Sequence, residues 1–91
     1  MLTHVVCFRF ADLETAGAAR DRLLSMRGAI PALLELEAGV DTTRSPRSFD
    51  LALITRHADR AGLEAYGQDP LHLEVLEWLK PRVVQAVAVD F

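Results

Sequence analysis

Three histidines, one tyrosine and one cysteine are the side chains of this sequence that favour acid–base or nucleophilic chemistry. His72 follows Asp69-Pro70, a pair typical of a helix start, because aspartate caps the helix and proline lacks an N–H that would need a partner. At 3.6 residues per turn, His72 shares an apolar helix face with Leu76 and Leu79. The positive end of the helix dipole favours the neutral imidazole, which can act as a general base. The alternative is a core histidine that is bonded to a backbone carbonyl.

Tyr66 and His4 are the side chains that could act together with His72. Tyr66 lies on the apolar side of the preceding helix, and its hydroxyl could donate to a substrate carbonyl or enolate; alternatively, the ring is packed and its hydroxyl reaches the surface. His4 shares a strand face with Val6 and Phe8. If that face meets the helices, the two imidazoles approach each other; otherwise His4 is a strand-end residue at the rim. Two imidazoles and a phenol in an apolar pocket suit proton transfer without a cofactor.

The remaining candidates have weaker sequence signals. His57 ends a strand beside a helix cap, and we expect it to be solvated. Cys7 has no basic neighbour that would activate it, so we expect a small core or interface residue. The sequence contains no usual metal motif, no Gly-rich phosphate loop and no serine nucleophile elbow. We therefore expect neither a metal nor a cofactor.

The elements that position these residues follow from hydrophobic periodicity and from Gly, Pro and Asp signals. They are strands at 3–10, 33–39, 49–56 and 84–91, and helices at 13–27, from the Asp59 cap to Tyr66, and from Pro70 to about Pro81. The order is β-α-β-β-α-β, with the second helix broken in two. This order predicts a ferredoxin-like α+β fold: a four-stranded antiparallel sheet with helices on one face.

Length and composition predict one domain over residues 1–91 that associates with itself. A chain of this size buries only about 60% of its unfolded surface, yet 51% of its residues are hydrophobic. The helices cover one face of the predicted sheet, and nothing in the chain is left to cover the other. That open face carries either Val5, Cys7, Ala52 and Ile54 or the residues that point to the opposite side of the same strands. A homodimer that packs sheet to sheet would bury it.

Other partners and compartments are disfavoured by the same composition. The net charge is −3 and lysine and arginine are not clustered, which argues against nucleic acid. No apolar run approaches the length of about 18 residues that spans a membrane. The first residues read as a strand and not as a signal peptide, and a single cysteine suits a reducing compartment. We expect a cytoplasmic protein.

The sequence resembles the stress-responsive dimeric α+β barrel (Dabb) family over essentially its whole length. The resemblance lies in segments at both ends of the chain, in the middle and around His72. They are His4-Val5-Val6, Phe8-Arg9-Phe10, the run from Ser45 to Leu53, Leu63-Glu64-Ala65-Tyr66, Asp69-Pro70-Leu71-His72 and Val89-Asp90-Phe91. It implies a ferredoxin-like protomer and a homodimer whose two sheets form a barrel.

The family resemblance also implies roles for three residues. A cyclase member of the family closes a linear polyketide by a cofactor-free aldol condensation, and its catalytic tyrosine and histidine match Tyr66 and His72. A further histidine in its first strand matches His4. By this analogy His72 would abstract a proton next to a carbonyl, Tyr66 would stabilise the oxyanion, and His4 would position the substrate.

Three functions remain open at this point. The first is a cofactor-independent enzyme or a binder of a small apolar carbonyl compound, with its site at His4, Tyr66 and His72. The second is a non-catalytic stress-response or ligand-binding dimer in which the histidines are structural. The third is a monooxygenase of the wider dimeric α+β barrel group. No residue of the sequence specifically indicates this activity.

Overall fold

The computed structural model describes residues 1–91 and has the element order β-α-β-β-α-α-β. The elements are β1 (Leu2–Phe10), α1 (Thr15–Leu24), β2 (Glu35–Val40), β3 (Leu51–His57), α2 (Arg60–Gln68), α3 (Pro70–Leu79) and β4 (Val83–Asp90). The predicted ferredoxin-like fold is confirmed, including the break in the second helix. No helix of the protein is long and apolar enough to cross a membrane.

The first helix is shorter than the sequence predicts. The Asp12 carboxylate accepts a hydrogen bond from the Glu14 N–H at 3.0 Å, and the backbone around it forms turns before the helix begins at Thr15. After Leu24 the chain again continues in turns, and Gly28 adopts a φ of +75°. Glycine tolerates this left-handed conformation without strain, so it allows the chain to reverse there.

The four strands form one antiparallel sheet in the order β2-β3-β1-β4. β1 and β3 are therefore the central strands, and β2 and β4 form the edges. The register places His4 opposite Thr55 on β3 and opposite Asp90 on β4. Directly opposite residues share a face of the sheet, so His4, Thr55 and Asp90 all lie on the same side.

The hydrophobic core lies between one face of the sheet and the three helices. It consists of alternate strand residues and one stripe from each helix: Phe8, Phe10, Leu36, Leu51 and Leu53 from the sheet, with Ala16, Ala19, Leu23, Tyr66, Val75 and Leu79 from the helices. Met26, Ile30 and Leu33 close the core beneath the connection to β2. β4 contributes little, because seven of its eight residues are exposed.

Two aspartate caps fix the helices that carry Tyr66 and His72. The Asp59 side chain accepts from the Gly62 N–H at 2.9 Å and begins α2. The Asp69 side chain accepts from the Leu71 N–H at 2.9 Å and begins α3, with Pro70 at the first helical position. Both caps are as predicted, although α2 continues to Gln68, two residues beyond Tyr66.

Candidate functional site

A cavity of about 220 Å³ lies between the sheet and the helices. Ten residues line it, and most of them are apolar: His4, Val6, Phe8, Leu23, Leu53, Tyr66, His72, Val75, Leu76 and Leu79. The structure thus brings the three residues predicted to form a site to the wall of one cavity. Their polar groups are two imidazoles and a phenol. The ten residues include no aspartate, glutamate, arginine or lysine.

His72 reaches this cavity from the first turn of α3. Its Nδ1 donates to the Gly67 carbonyl oxygen at 2.9 Å, because a carbonyl can only accept. Its Nε2 makes no hydrogen bond within the chain. Burial lowers the pKa of the His72 imidazole below its ordinary value, and the nearby His4 lowers it further, whereas the Gly67 bond and Asp69 oppose the shift. Burial is therefore the main cause that favours the neutral form of His72.

Tyr66 lies directly against His72. Their ring centroids are 4.4 Å apart at an interplanar angle of 50°. Tyr66 is only 2% exposed, and its hydroxyl is buried without any hydrogen-bond partner in the chain. The alternative in which this hydroxyl reaches the surface is wrong. Burial raises the pKa of Tyr66 to about 12. At neutral pH the hydroxyl therefore keeps its proton and can donate a hydrogen bond, but it has no acceptor within the chain.

His4 is paired with a carboxylate on β4 to which the local sequence gives no pointer. Its Nδ1 contacts the Asp90 Oδ1, and the other carboxylate oxygen of Asp90 lies 3.7 Å from the Arg60 guanidinium. The pair arises from the β1–β4 register, which sets the two residues opposite each other although they are 86 positions apart. The contact between His4 and Asp90 can therefore be predicted only when the register of β1 and β4 is known.

His57 is buried, and the expectation that it is solvated is wrong. It has no exposed surface. Its Nδ1 donates to the Ala32 carbonyl at 2.8 Å, and its Nε2 is 2.9 Å from the Thr55 hydroxyl. The physical reason is strand alternation: Leu51, Leu53, Thr55 and His57 all point to the helices. The alternation of Leu51 and Leu53, continued to positions 55 and 57, predicts that both polar side chains are buried.

Cys7 lies on the opposite face of the sheet, away from the other candidates. It is half-buried and lines a second, more open cleft of about 300 Å³ together with Phe49 and Ala52. No three His, Cys, Asp or Glu side chains of the chain come together in a way that could hold a metal ion.

The fold and the cavity define a ferredoxin-like α+β protein with an internal apolar chamber. Residues 2–91 match the stress responsive A/B barrel domain family, Dabb. Because the match spans nearly the whole chain, the protein belongs to this family, and the resemblance identified from the sequence is confirmed. No curated protein matches the sequence.

Solved structures share the fold over almost the entire chain. A dimeric ferredoxin-like protein of unknown function from Thermobifida fusca has a TM-score of 0.87 and 26% identity, covering 99% of this chain and 88% of that one. A Dabb family protein from Mesorhizobium loti has a TM-score of 0.75 and 20% identity, with 99% and 93% covered. Hydroxynitrile lyase from Passiflora edulis has a TM-score of 0.81 and 17% identity, with 99% and 90% covered. The fold therefore occurs in an enzyme and in a protein of unknown function.

Proposed function

We propose that the cavity binds a small, neutral carbonyl compound and that His72 and Tyr66 transfer a proton at the carbon next to its carbonyl, without a cofactor. The observation that carries this proposal is Tyr66, a residue of the cavity lining whose buried hydroxyl has no hydrogen-bond partner in the chain. An unpaired buried polar group costs about 1–3 kcal/mol. A ligand oxygen that accepts from this hydroxyl would remove that cost.

The chemistry follows from the states of the two rings. His72 is neutral, and its Nε2 lone pair is not used by the protein. It would take a proton from the α carbon, and the C–H electron pair would become the C=C bond of an enolate. The Tyr66 hydroxyl would donate to the enolate oxygen and stabilise its charge. The proton held on Nε2 then returns to carbon, or to the alkoxide formed when the enolate attacks a second carbonyl in an aldol cyclisation.

His4 is assigned the role of positioning the substrate. The Asp90 carboxylate accepts from its Nδ1 and thereby fixes the orientation of the ring, which leaves Nε2 without a bond in the chain. The apolar lining offers no arginine or lysine for a carboxylate or phosphate group. Because the cavity of about 220 Å³ is smaller than the roughly 300–1,000 Å³ of pockets for drug-sized ligands, we propose a short carbonyl compound instead of a long polyketide.

A second candidate is a non-catalytic dimer that binds a ligand or only maintains its fold. It is favoured by the hydrogen bonds of the histidines, because each of the three has at least one ring nitrogen paired within the chain. Buried histidines that serve only the fold have such partners. In both candidates we propose a homodimer that forms through the open sheet face. The dimeric neighbour from Thermobifida fusca supports the formation of a dimer.

Deuterium exchange separates the two candidates. Acetone, cyclopentanone and ethyl acetoacetate are incubated with the protein in D₂O, and loss of their α protons is followed by NMR. We expect His72→Ala to lower the protein-catalysed rate by about 100-fold, the usual contribution of a general base. Tyr66→Phe should lower it by at least about tenfold, because the oxyanion loses its donor.

The matched control for this experiment is Glu74→Ala, since Glu74 lies on the exposed side of the same helix. It should leave the exchange rate unchanged. If His72→Ala exchanges every compound as fast as the wild-type protein, His72 is not the base. If the wild-type protein accelerates none of them over buffer, the non-catalytic candidate is favoured.

A further inference from the structure

His57 does not line the cavity, yet it contacts a residue that does. Its ring centroid is 4.9 Å from that of Tyr66, with an interplanar angle of 42°. Tyr66 in turn is 4.4 Å from His72. The three rings thus form a continuous series from the end of β3 through α2 to the first turn of α3, and only the last two reach the cavity.

The His57 ring is fixed more firmly than the Tyr66 ring that it touches. Both of its nitrogens are engaged, with the Ala32 carbonyl on one side and the Thr55 hydroxyl on the other. Ala32 precedes β2 and Thr55 belongs to β3, so the imidazole is tied to a backbone carbonyl in one segment and to a side chain in another. Tyr66 has no such anchor, because its hydroxyl is unpaired. The orientation of the phenol is therefore set by packing alone.

We propose that His57 is a positioning residue for Tyr66: its imidazole packs against the phenol ring and holds that ring in the cavity lining beside His72. This inference rests on the proposed function, because it gives the Tyr66 hydroxyl a defined place relative to the base. His57 itself touches no substrate, since both nitrogens are occupied and it is absent from the lining. The geometry matters because small displacements of a catalytic group are costly in rate.

Three variants test the positioning role. His57→Asn keeps an N–H that can donate to the Ala32 carbonyl but removes the ring. His57→Phe keeps a ring of similar size but removes both hydrogen bonds. Leu36→Ala is the control for lost stability, because Leu36 is buried in β2 away from the cavity. If His57→Asn does not fold, His57→Gln takes its place, since it also removes the ring and keeps an N–H that can donate a hydrogen bond.

The readouts are the ring NMR signals of Tyr66, the only tyrosine of the chain, and the exchange kinetics. We expect His57→Asn to shift the Tyr66 ring signals, to speed its ring flips and to lower kcat about tenfold, with KM nearly unchanged. His57→Phe should retain the signals and most of kcat. Leu36→Ala should lose stability while keeping both.

Two results would overturn the proposal. One is a His57→Asn variant whose Tyr66 signals and kcat change no more than those of Leu36→Ala. The other is an equal loss of kcat in His57→Asn and His57→Phe, because a ring at position 57 would then not be what positions Tyr66. If the wild-type protein turns over no substrate, the proposed function fails; the Tyr66 signals alone then decide whether His57 holds the phenol in place.

Discussion

The Tyr66 hydroxyl couples the stability of the protein to alkaline pH. Burial raises its pKa from the ordinary value of 10.0 to about 12. Between these two values the unfolded chain has released the phenol proton while the folded chain still holds it. Because the unfolded state then binds fewer protons, the free energy of unfolding falls as pH rises through this window. At about pH 11, one unit above the unfolded value, the loss amounts to about 1.4 kcal/mol.

Urea unfolding at about pH 9 and at about pH 11 measures this effect, and Tyr66→Phe is the control because it lacks the ionising group but keeps the ring. We expect the wild-type protein to lose about 1.4 kcal/mol more than the variant between the two conditions. Equal losses would show that Tyr66 ionises as easily in the folded state as in the unfolded chain, and that its environment is not apolar.

Single residues show where sequence reasoning reaches its limit in this protein. Helical spacing places His72 on the apolar face of its helix, and strand alternation places His4 on an apolar strand face, but local geometry alone does not decide whether the two faces meet. The position of His57 at a strand end suggests exposure, whereas the alternation of β3 continues to its last residue and buries the imidazole. Asp90 could not be found, because its contact with His4 depends on the pairing of β1 with β4 and not on local sequence.

At the scale of elements, the junction between α2 and α3 orients the proposed base. The Gly67 carbonyl that accepts from His72 belongs to the end of α2, and Asp69 caps the start of α3. Asp69 also favours the charged form of His72, although burial outweighs it. The short connection thus controls both the direction of the imidazole and part of its electrostatic environment.

Two substitutions at Asp69 separate its cap from its charge. Asp69→Ala removes the hydrogen bond to the Leu71 N–H and should cost about 1 kcal/mol of stability. Asp69→Asn keeps a good cap and should leave stability nearly unchanged. Because both variants remove the carboxylate, both should lower the pKa of His72 further, as followed by NMR titration of its ring protons. A pKa of His72 that stays constant in both would show that Asp69 does not act on it.

The elements themselves were largely predictable, whereas their ends were less so. Alternation marked all four strands, and the Asp59 and Asp69-Pro70 signals located both later helices within one or two residues. The first helix was predicted too long at both ends. Turns with i to i+3 hydrogen bonds extend its hydrophobic spacing beyond Thr15–Leu24, and spacing alone does not distinguish such turns from a helix.

At the scale of the whole molecule, one face of the sheet carries apolar side chains that no helix of the chain covers. Its centre is apolar, with Val5 and Ile54 paired across β1 and β3 and Cys7 paired with Ala52. Charged and polar residues border this centre, among them the ion pair between Glu35 and Arg56. An apolar centre with a polar rim is the usual organisation of a protein interface. Val87 and Val89 extend the apolar surface onto β4, where they are 46% and 64% exposed.

We therefore expect that a charge placed at the centre of this face prevents dimer formation. Ile54→Asp adds a carboxylate there, and an unpaired charge buried in an interface costs several kcal/mol. Leu73→Asp is the matched control, because it adds the same charge on α3, where Leu73 is 50% exposed. Sedimentation at micromolar concentration should show dimers for the wild-type protein and Leu73→Asp, and monomers for Ile54→Asp. A wild-type monomer would refute the dimer, whereas a dimeric Ile54→Asp would place the interface on another surface.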